Sequence, residues 1–406
     1  MSRLKVWIIT LILTVSSFAS RLGADTIFAS RSLGSPIVQV DGRSWGMGGV
    51  SVAMGGENFS TTNPAIISNF YRSGFTGMLI PEYRQPEDET GRANLRSFQI
   101  PVVRAIFPLR KKFIASGGIK QSFDMNWRFD REREFDGESL GEYLSSEGSL
   151  FSIHASVARP IGRKVSLGAE IEIHRGEATR TWFLEASQPE GGASGLSSRD
   201  VVRRQFSGES LSIGLLLHPY KWFDVGMSFR PGFKLDIDET LEAGTGLTQK
   251  RSDSVDVPYS LILGFAVQSG RRLTVGLDFE SSPWRDLKAS ESFPFPMKDY
   301  KRLSIGLEFT PSRDPLAPFW KRWPLRTGLM FRTLPADISG KSINELSYML
   351  GVGIIVGDGR GRLDFFTQYA TRGNLEEFGI QERVIRFGFS VSGFEKWVPK
   401  RKGRRI

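Results

Sequence analysis

The stretch "KVSLGAEIEIH", residues 164–174, decides the fold. Val165, Leu167, Ala169, Ile171 and Ile173 occupy alternate positions, and Ser166, Gly168, Glu170, Glu172 and His174 fill the others. A period of two marks a strand whose two faces meet unlike environments. "RLTVGLDFE" (272–280) repeats it, with Leu273, Val275, Leu277 and Phe279 opposite Thr274, Gly276, Asp278 and Glu280. "LSIGLEF" (303–309), "FDVGMSFR" (223–230) and "RLDFFTQYA" (362–370) follow the same rule.

A soluble sandwich also alternates, so three further features carry the distinction. The segments run to about nine to twelve residues, which suits tilted strands crossing a bilayer. One face is bulky and apolar, whereas the other is rich in Gly, Ser and carboxylates, as a wet lumen would be. Short connections such as "PLRKK" (108–112), "PIGRK" (160–164), "PYKW" (219–222), "SGRR" (269–272) and "GDGRG" (357–361) alternate with long polar ones. The long ones are expected near 84–94, 128–148, 178–200, 236–256, 281–298, 334–344 and 372–381. Outer-membrane barrels show this asymmetry between turns and loops.

The expected architecture is all-β: a transmembrane antiparallel β-barrel of about fourteen strands, spanning 73–394. The even count implies that both chain ends lie on the short-turn, periplasmic side of a bacterial outer membrane. No composition shift asks for a second domain.

The ends fit export. Arg3 and Lys5 precede the apolar run Val6–Val15, and small residues follow, so 1–24 reads as a signal peptide. An apolar run of about ten residues is too short to span a membrane as a helix. Cys is absent, so the exported chain must be held by packing or by closing a sheet. The formal charge is +10, and the tail over 395–406 holds six of the basic residues. It reads as a solvated end or one lying near anionic head groups. No nucleic-acid-binding module occurs, and export argues against such a partner.

Between the signal and the first strand, residues 25–72 include "GRSWGMGGVSVAMGGENFSTTNPA" (42–65). Its Gly and Ala let a backbone press closely against a wall, and Pro64 biases Asn63 away from helix. The stretch resembles the N-terminal signature of the FadL-type family of outer-membrane hydrophobe and long-chain fatty acid transporters. Gly46, Met47, Gly48, Gly49, Asn63, Pro64 and Ala65 carry the resemblance. It implies a fourteen-stranded barrel whose N-terminal segment folds inward as a plug. PorV-type barrels, which serve protein secretion, share the signature. Here Ile66-Ile67-Ser68 follows where the family usually has Gly-Leu, and a basic tail follows Phe394 at the end of an aromatic-rich last strand.

No catalytic set emerges, and the chain is expected to be neither an enzyme nor a holder of a cofactor or metal. His154, His174 and His218 share the lumen-facing parity. Pairing through "PIGRK" is expected to set His154 near Glu170 and the two imidazoles roughly 13 Å apart, too far to share a metal. No G-x-S-x-G supports a lipase. Glu170, Glu172, Asp224, Asp278, Glu280, Glu308 and Asp364 share the inward parity with Arg230, Arg326, Arg332 and Arg386, a pattern that favours cross-strand pairing and plug fixation.

Candidate residues for capturing a hydrophobe are Phe293, Phe295 and Met297 in "SFPFPM", with Phe123, Trp127, Trp182 and Phe183 near strand ends. Trp222, Trp284, Trp320 and Trp323 read as an interfacial belt. The expected function is passive, plug-gated uptake of small hydrophobic molecules such as long-chain fatty acids, or else a non-transporting partner in surface protein secretion. The expected partners are membrane lipid, a hydrophobic small molecule and the outer-membrane assembly machinery.

Overall fold

A computed structural model describes residues 26–395, apart from 90, 136–137, 187–196, 271, 288–292, 294, 313, 315 and 339. The signal read over 1–24, and all of the basic tail but Glu395, lie outside the described residues. Fourteen strands form one closed antiparallel sheet. They are β1 (Ser73–Asp88), β2 (Leu95–Gln99 and Val102–Pro108), β3 (Ile114–Asp124 and Trp127–Phe135), β4 (Glu138–Ile161) and β5 (Val165–Ala186). There follow β6 (Ser197–Tyr220), β7 (Phe223–Arg230 and Phe233–Glu242), β8 (Thr248–Val257 and Ser260–Ser269) and β9 (Leu273–Ser282). The last five are β10 (Tyr300–Phe309), β11 (Leu325–Ile338), β12 (Lys341–Val356), β13 (Gly361–Asn374) and β14 (Ile380–Glu395). Pairing of Ser73 with Glu395 and of Asp88 with Ile380 joins β1 to β14 and closes the cylinder.

The alternation explains the wall. Ile171 and Ile173 of β5, with Leu211 and Ile213 of β6, point outward and are exposed. Their neighbours Glu170, Glu172, Ser210 and Ser212 are buried on the inner face. No described helix is long and apolar enough to cross a membrane. A closed ladder pairs strand amides with neighbouring strands, as a lipid environment demands.

The polar stretches expected as loops are largely strand. β4, β5 and β6 run for 24, 22 and 24 residues, about twice what a bilayer crossing needs. Above Ile173 the outward positions of β5 become Arg175 and Glu177, while above Leu211 those of β6 become Glu209, Gln205 and Arg203. The period of two persists, but the outer face now meets water, so charge replaces Ile and Leu. A window judged by polarity alone therefore reads as loop. The interruptions at 231–232 and 258–259 lie side by side in β7 and β8, where Pro231 and Pro258 remove ladder donors. They mark the level where the membrane wall gives way to this extension.

The wall has one local discontinuity. β2 and β3 pair only as far as Val102 with Lys120, and Leu95–Gln99 pairs with β1 instead. Above that point Ser35 and Pro36, which precede the barrel, lie opposite Asp124 and Phe123 of β3.

Candidate functional site

Residues 26–72 run through the lumen. The turn of 3-10 helix Ile27–Arg31 sits at the long-strand end, where Phe28 packs with Leu334, Ala336 and Ile343. The segment Pro64–Asn69 lies at the other end against Ile106, Ile114, Ala158 and Leu216. The described chain thus begins at one end of the barrel and finishes at the other. An even strand count fixes only where β1 starts and β14 stops, not where the residues before β1 go.

Asp41 organises the middle of this segment. Its carboxylate accepts from Ser44 N at 2.9 Å, capping the helical turn α1 (Gly42–Trp45), and from Phe59 N at 3.1 Å. Gly48 and Gly49 follow with φ of 72° and 83°, a left-handed conformation that other residues adopt at a cost. Asn63 caps Pro64–Asn69 through Ala65 N at 2.9 Å. Its amide donates to Val52 O at 2.9 Å and to Leu215 O, on the barrel wall, at 3.1 Å.

The wall meets this backbone with glycine. A Cβ on Gly306 would overlap the Met47 carbonyl, and one on Gly328 would overlap Gly48. Gly226 faces Val52 in the same way, Gly214 faces Asn63, Gly168 faces Pro64 and Ala65, and Gly46 approaches Gly351. Of the residues singled out in the sequence, Gly46, Met47, Gly48, Asn63, Pro64 and Ala65 all touch the wall. Gly49 supplies a turn instead, and its nearest wall neighbour is the Arg302 guanidinium.

Charge completes the fit. Glu308 of β10 accepts from Arg43 of α1 at 2.7 and 2.9 Å and from Arg326 at 2.8 Å. Arg326 also reaches Asp364 at 2.6 Å, Asp364 accepts from Arg362 at 2.7 Å, and Arg362 reaches Asp41 at 3.2 Å. A chain of alternating charges therefore starts and ends on the inner segment. Asp278 accepts from the Ser51 and Val52 amides at 2.7 and 3.1 Å. Nearer the long-strand end, Arg332 holds Glu345 and donates to Pro36 O at 2.8 Å, while Arg372 bonds Glu345 and Arg386 bonds Glu82. Many of the inward carboxylates and guanidinia thus bond to the inner segment or to one another.

An apolar cluster covers the long-strand end. Leu33, Met125, Phe206, Leu235, Ile237, Val255, Val257, Trp284, Phe293 and Met297 are buried together, with Phe123 packed against them. Phe123 meets Trp284 edge to face at 5.8 Å. Of the capture candidates, Phe123, Phe293 and Met297 therefore converge. Trp127 lines a small void beside Phe293 and carries the Arg180 guanidinium over its ring at 5.7 Å. Phe295 is left outside, under Arg31 at 5.3 Å. Trp182 is 44% exposed near the top of the extension, and Phe183 pairs with Tyr143 on the opposite face. Ser292 and Pro294 of "SFPFPM" lie outside the described residues.

Trp284 belongs to this cluster and not to an interfacial belt, because the chain turns inward after β9. Sequence reasoning also missed Leu235, Ile237, Val255 and Val257. Their alternation within "FKLDIDE" and "SVDV" was the available signal.

Beneath the cluster lies a polar cavity of about 110 Å³. Phe123, Trp284 and Tyr300 border it, together with Lys120, Glu172, Arg230, Glu280 and Arg302. The histidines do not form a centre. The hairpin closes at Ile161 opposite Val165, with Gly162 left-handed between them, and this sets His154 opposite Glu172 instead of Glu170. His154 and His174 are then diagonal neighbours, about 7–8 Å apart and not 13 Å. His174 bonds Ser152 and Ser210 at 2.7 and 2.8 Å, and His218 bonds Asp224 at 2.6 Å. Among the described residues no group of His, Asp and Glu is placed to hold a metal.

Comparison with solved structures gives the same architecture. A FadL homologue of Pseudomonas aeruginosa superposes with a TM-score of 0.64 at 13% identity, covering 89% of this chain and 99% of that one. The Ralstonia pickettii toluene transporter TbuX gives 0.56 at 15% identity over 86% and 97% of the two chains. The Pseudomonas putida toluene transporter TodX gives 0.55 at 15% identity over 87% and 97%. At such identities the likeness speaks for the fold. Among curated proteins no sequence matches. A closed barrel with an apolar outer belt and the FadL-type fold is an outer-membrane protein. The sequence matches the family described as BamG over residues 1–403, and the chain, a FadL-type barrel, therefore belongs to the BamG family.

Proposed function

We propose that this barrel takes up small hydrophobic molecules, long-chain fatty acids among them, with residues 26–72 as the gate. The apolar cluster at the long-strand end carries this reading. Phe293 and Met297 come from a connection between strands, where water favours polar residues, yet both are buried against Phe123 and Trp284. A hydrophobe replaces those contacts on arrival and reaches the lumen when the inner segment shifts. On this reading the arrangement of residues 26–72 is the closed one. Among the similar structures are a toluene transporter and a monoaromatic hydrocarbon channel, which supports the cargo class. On this reading the long-strand end faces outward, the protein works without a cofactor, and it performs no covalent chemistry.

A second reading rests on a different observation. The inner segment is tied to the wall by buried ion pairs, and the polar cavity of about 110 Å³ falls short of the roughly 300–1,000 Å³ of a ligand pocket. A filled barrel with a tall sheet above the membrane suits a non-transporting partner of outer-membrane assembly or secretion machinery, in keeping with membership of BamG.

One experiment separates the two. The purified chain is reconstituted and titrated with a labelled long-chain fatty acid and with toluene, alongside Phe293→Ser/Met297→Ser. Saturable binding that the double substitution weakens about tenfold or more, as loss of two buried apolar side chains predicts, supports uptake. A folded barrel that binds neither ligand overturns it and leaves the partner reading.

A further inference from the structure

Six connections join strands at the short-turn end: 109–113, 162–164, 221–222, 270–272, 310–324 and 357–360. Every one carries Lys or Arg, and Asp314 and Asp358 are the only acids among them. Arg110, Lys111, Lys112, Arg163, Lys164 and Lys221 are all exposed, and Arg272, Lys321 and Arg360 continue the series around the barrel. None of these nine pairs with a carboxylate among the described residues. Within these six connections basic residues outnumber acidic ones by twelve to two.

Two further observations say what the ring meets. Exposed apolar and aromatic side chains interleave with it: Leu109 beside Arg110, Tyr220 and Trp222 around Lys221, and Phe319 and Trp320 before Lys321. Trp and Tyr at strand ends mark the level of lipid head groups. The basic side chains therefore sit in the plane of the head groups. Secondly, Lys111 and Lys112 are the only non-Gly residues at positive φ among the described residues, at 59° and 64°. The other short turns place Gly at such positions, as at Gly162, Gly270, Gly357 and Gly359. An L-residue there costs stability, so the ammonium groups are retained against the conformational preference of the turn.

We propose that this rim binds the anionic head groups of phospholipids in the adjoining leaflet. A docked protein would need its charge on one side. A complete ring, interleaved with interfacial aromatics, matches a lipid annulus, and a basic residue near an anionic surface strengthens binding by about fivefold each.

The test is quenching of tryptophan fluorescence by brominated lipid. The full chain is reconstituted in bilayers containing brominated phosphatidylglycerol or brominated phosphatidylcholine, and the ratio of their binding constants is measured. The wild-type ratio is expected to be about fivefold in favour of the anionic lipid and to fall with added salt. Lys111→Gly/Lys112→Gly and, separately, Arg163→Gln/Lys164→Gln should bring it towards one. The glycine pair relaxes the left-handed turn, so its heat-modification midpoint should hold or rise while the ratio falls. Arg199→Gln/Lys250→Gln, on the extension, should leave the ratio unchanged. A wild-type ratio of one, or an equal fall in the extension variant, overturns the proposal.

Discussion

Glu308 is the residue on which the inner segment hangs. It lies between Arg43 and Arg326, accepting three hydrogen bonds from two guanidinium groups. Replacing it by Gln keeps the shape but leaves two buried cations facing one another. Breaking such a pair from one side costs about 3–5 kcal/mol. Glu308→Gln should therefore lower the urea midpoint of the folded, heat-modifiable form in detergent by that equivalent, and an unchanged midpoint would show that water enters and solvates the pair. The inward parity of Glu308 was legible in "LSIGLEF". Its partner was not, because Arg43 lies 265 residues away and nothing in a local pattern couples the two. The same limit applies to Asp278, whose backbone partners Ser51 and Val52 are invisible to spacing.

At the scale of the element, the tall strands consist of two pieces of different physical origin. The lower part is held by lipid outside and by the inner segment within, whereas the upper part is a sheet in water that covers the apolar cluster. Shortening the β5–β6 hairpin by joining Thr179 to Arg203 through a tight turn should leave the lower barrel intact. The variant is expected to remain heat-modifiable on gels, with native mobility before boiling. Failure to form that species would show that the extension is needed for the barrel itself to fold. Sequence alternation gave the existence of these strands, but not their length. β5 keeps its period of two from Val165 to Ala186 while its outward residues change from Ile171 and Ile173 to Arg175 and Glu177. Polarity changed where secondary structure did not.

For the whole molecule, the decisive quantity is the occupancy of the lumen. A barrel of fourteen strands is wide enough to conduct ions if empty. Here glycines at 168, 214, 226, 306 and 328 admit a second backbone, and charged side chains from the wall close on it. In planar bilayers the wild type should therefore be electrically silent, and removal of residues 26–60 should produce discrete conductance steps. Steps from the intact chain would mean that the inner segment leaves the lumen without a ligand. Closure and strand number could be read from the sequence, since they follow from alternation and turn length. Filling was harder to read, because Gly, Ser and carboxylates at inward positions suit water as well as another segment. The recurrence of Gly at that parity in "SLGAE", "SIGLLL", "VGMS", "IGLEF" and "TGLM" was the one distinguishing trace.

The pairing of Ser35 and Pro36 with the upper edge of β3 has a consequence for the order of assembly. Those residues and β3 are near one another along the chain, whereas β1 and β14 meet across almost all of it. Loop-closure entropy grows with the span being closed, so the inner segment can find β3 at a smaller cost than the two terminal strands can find each other. The cylinder is then wound around a spindle already in place, and the last joint to form traps what it encloses.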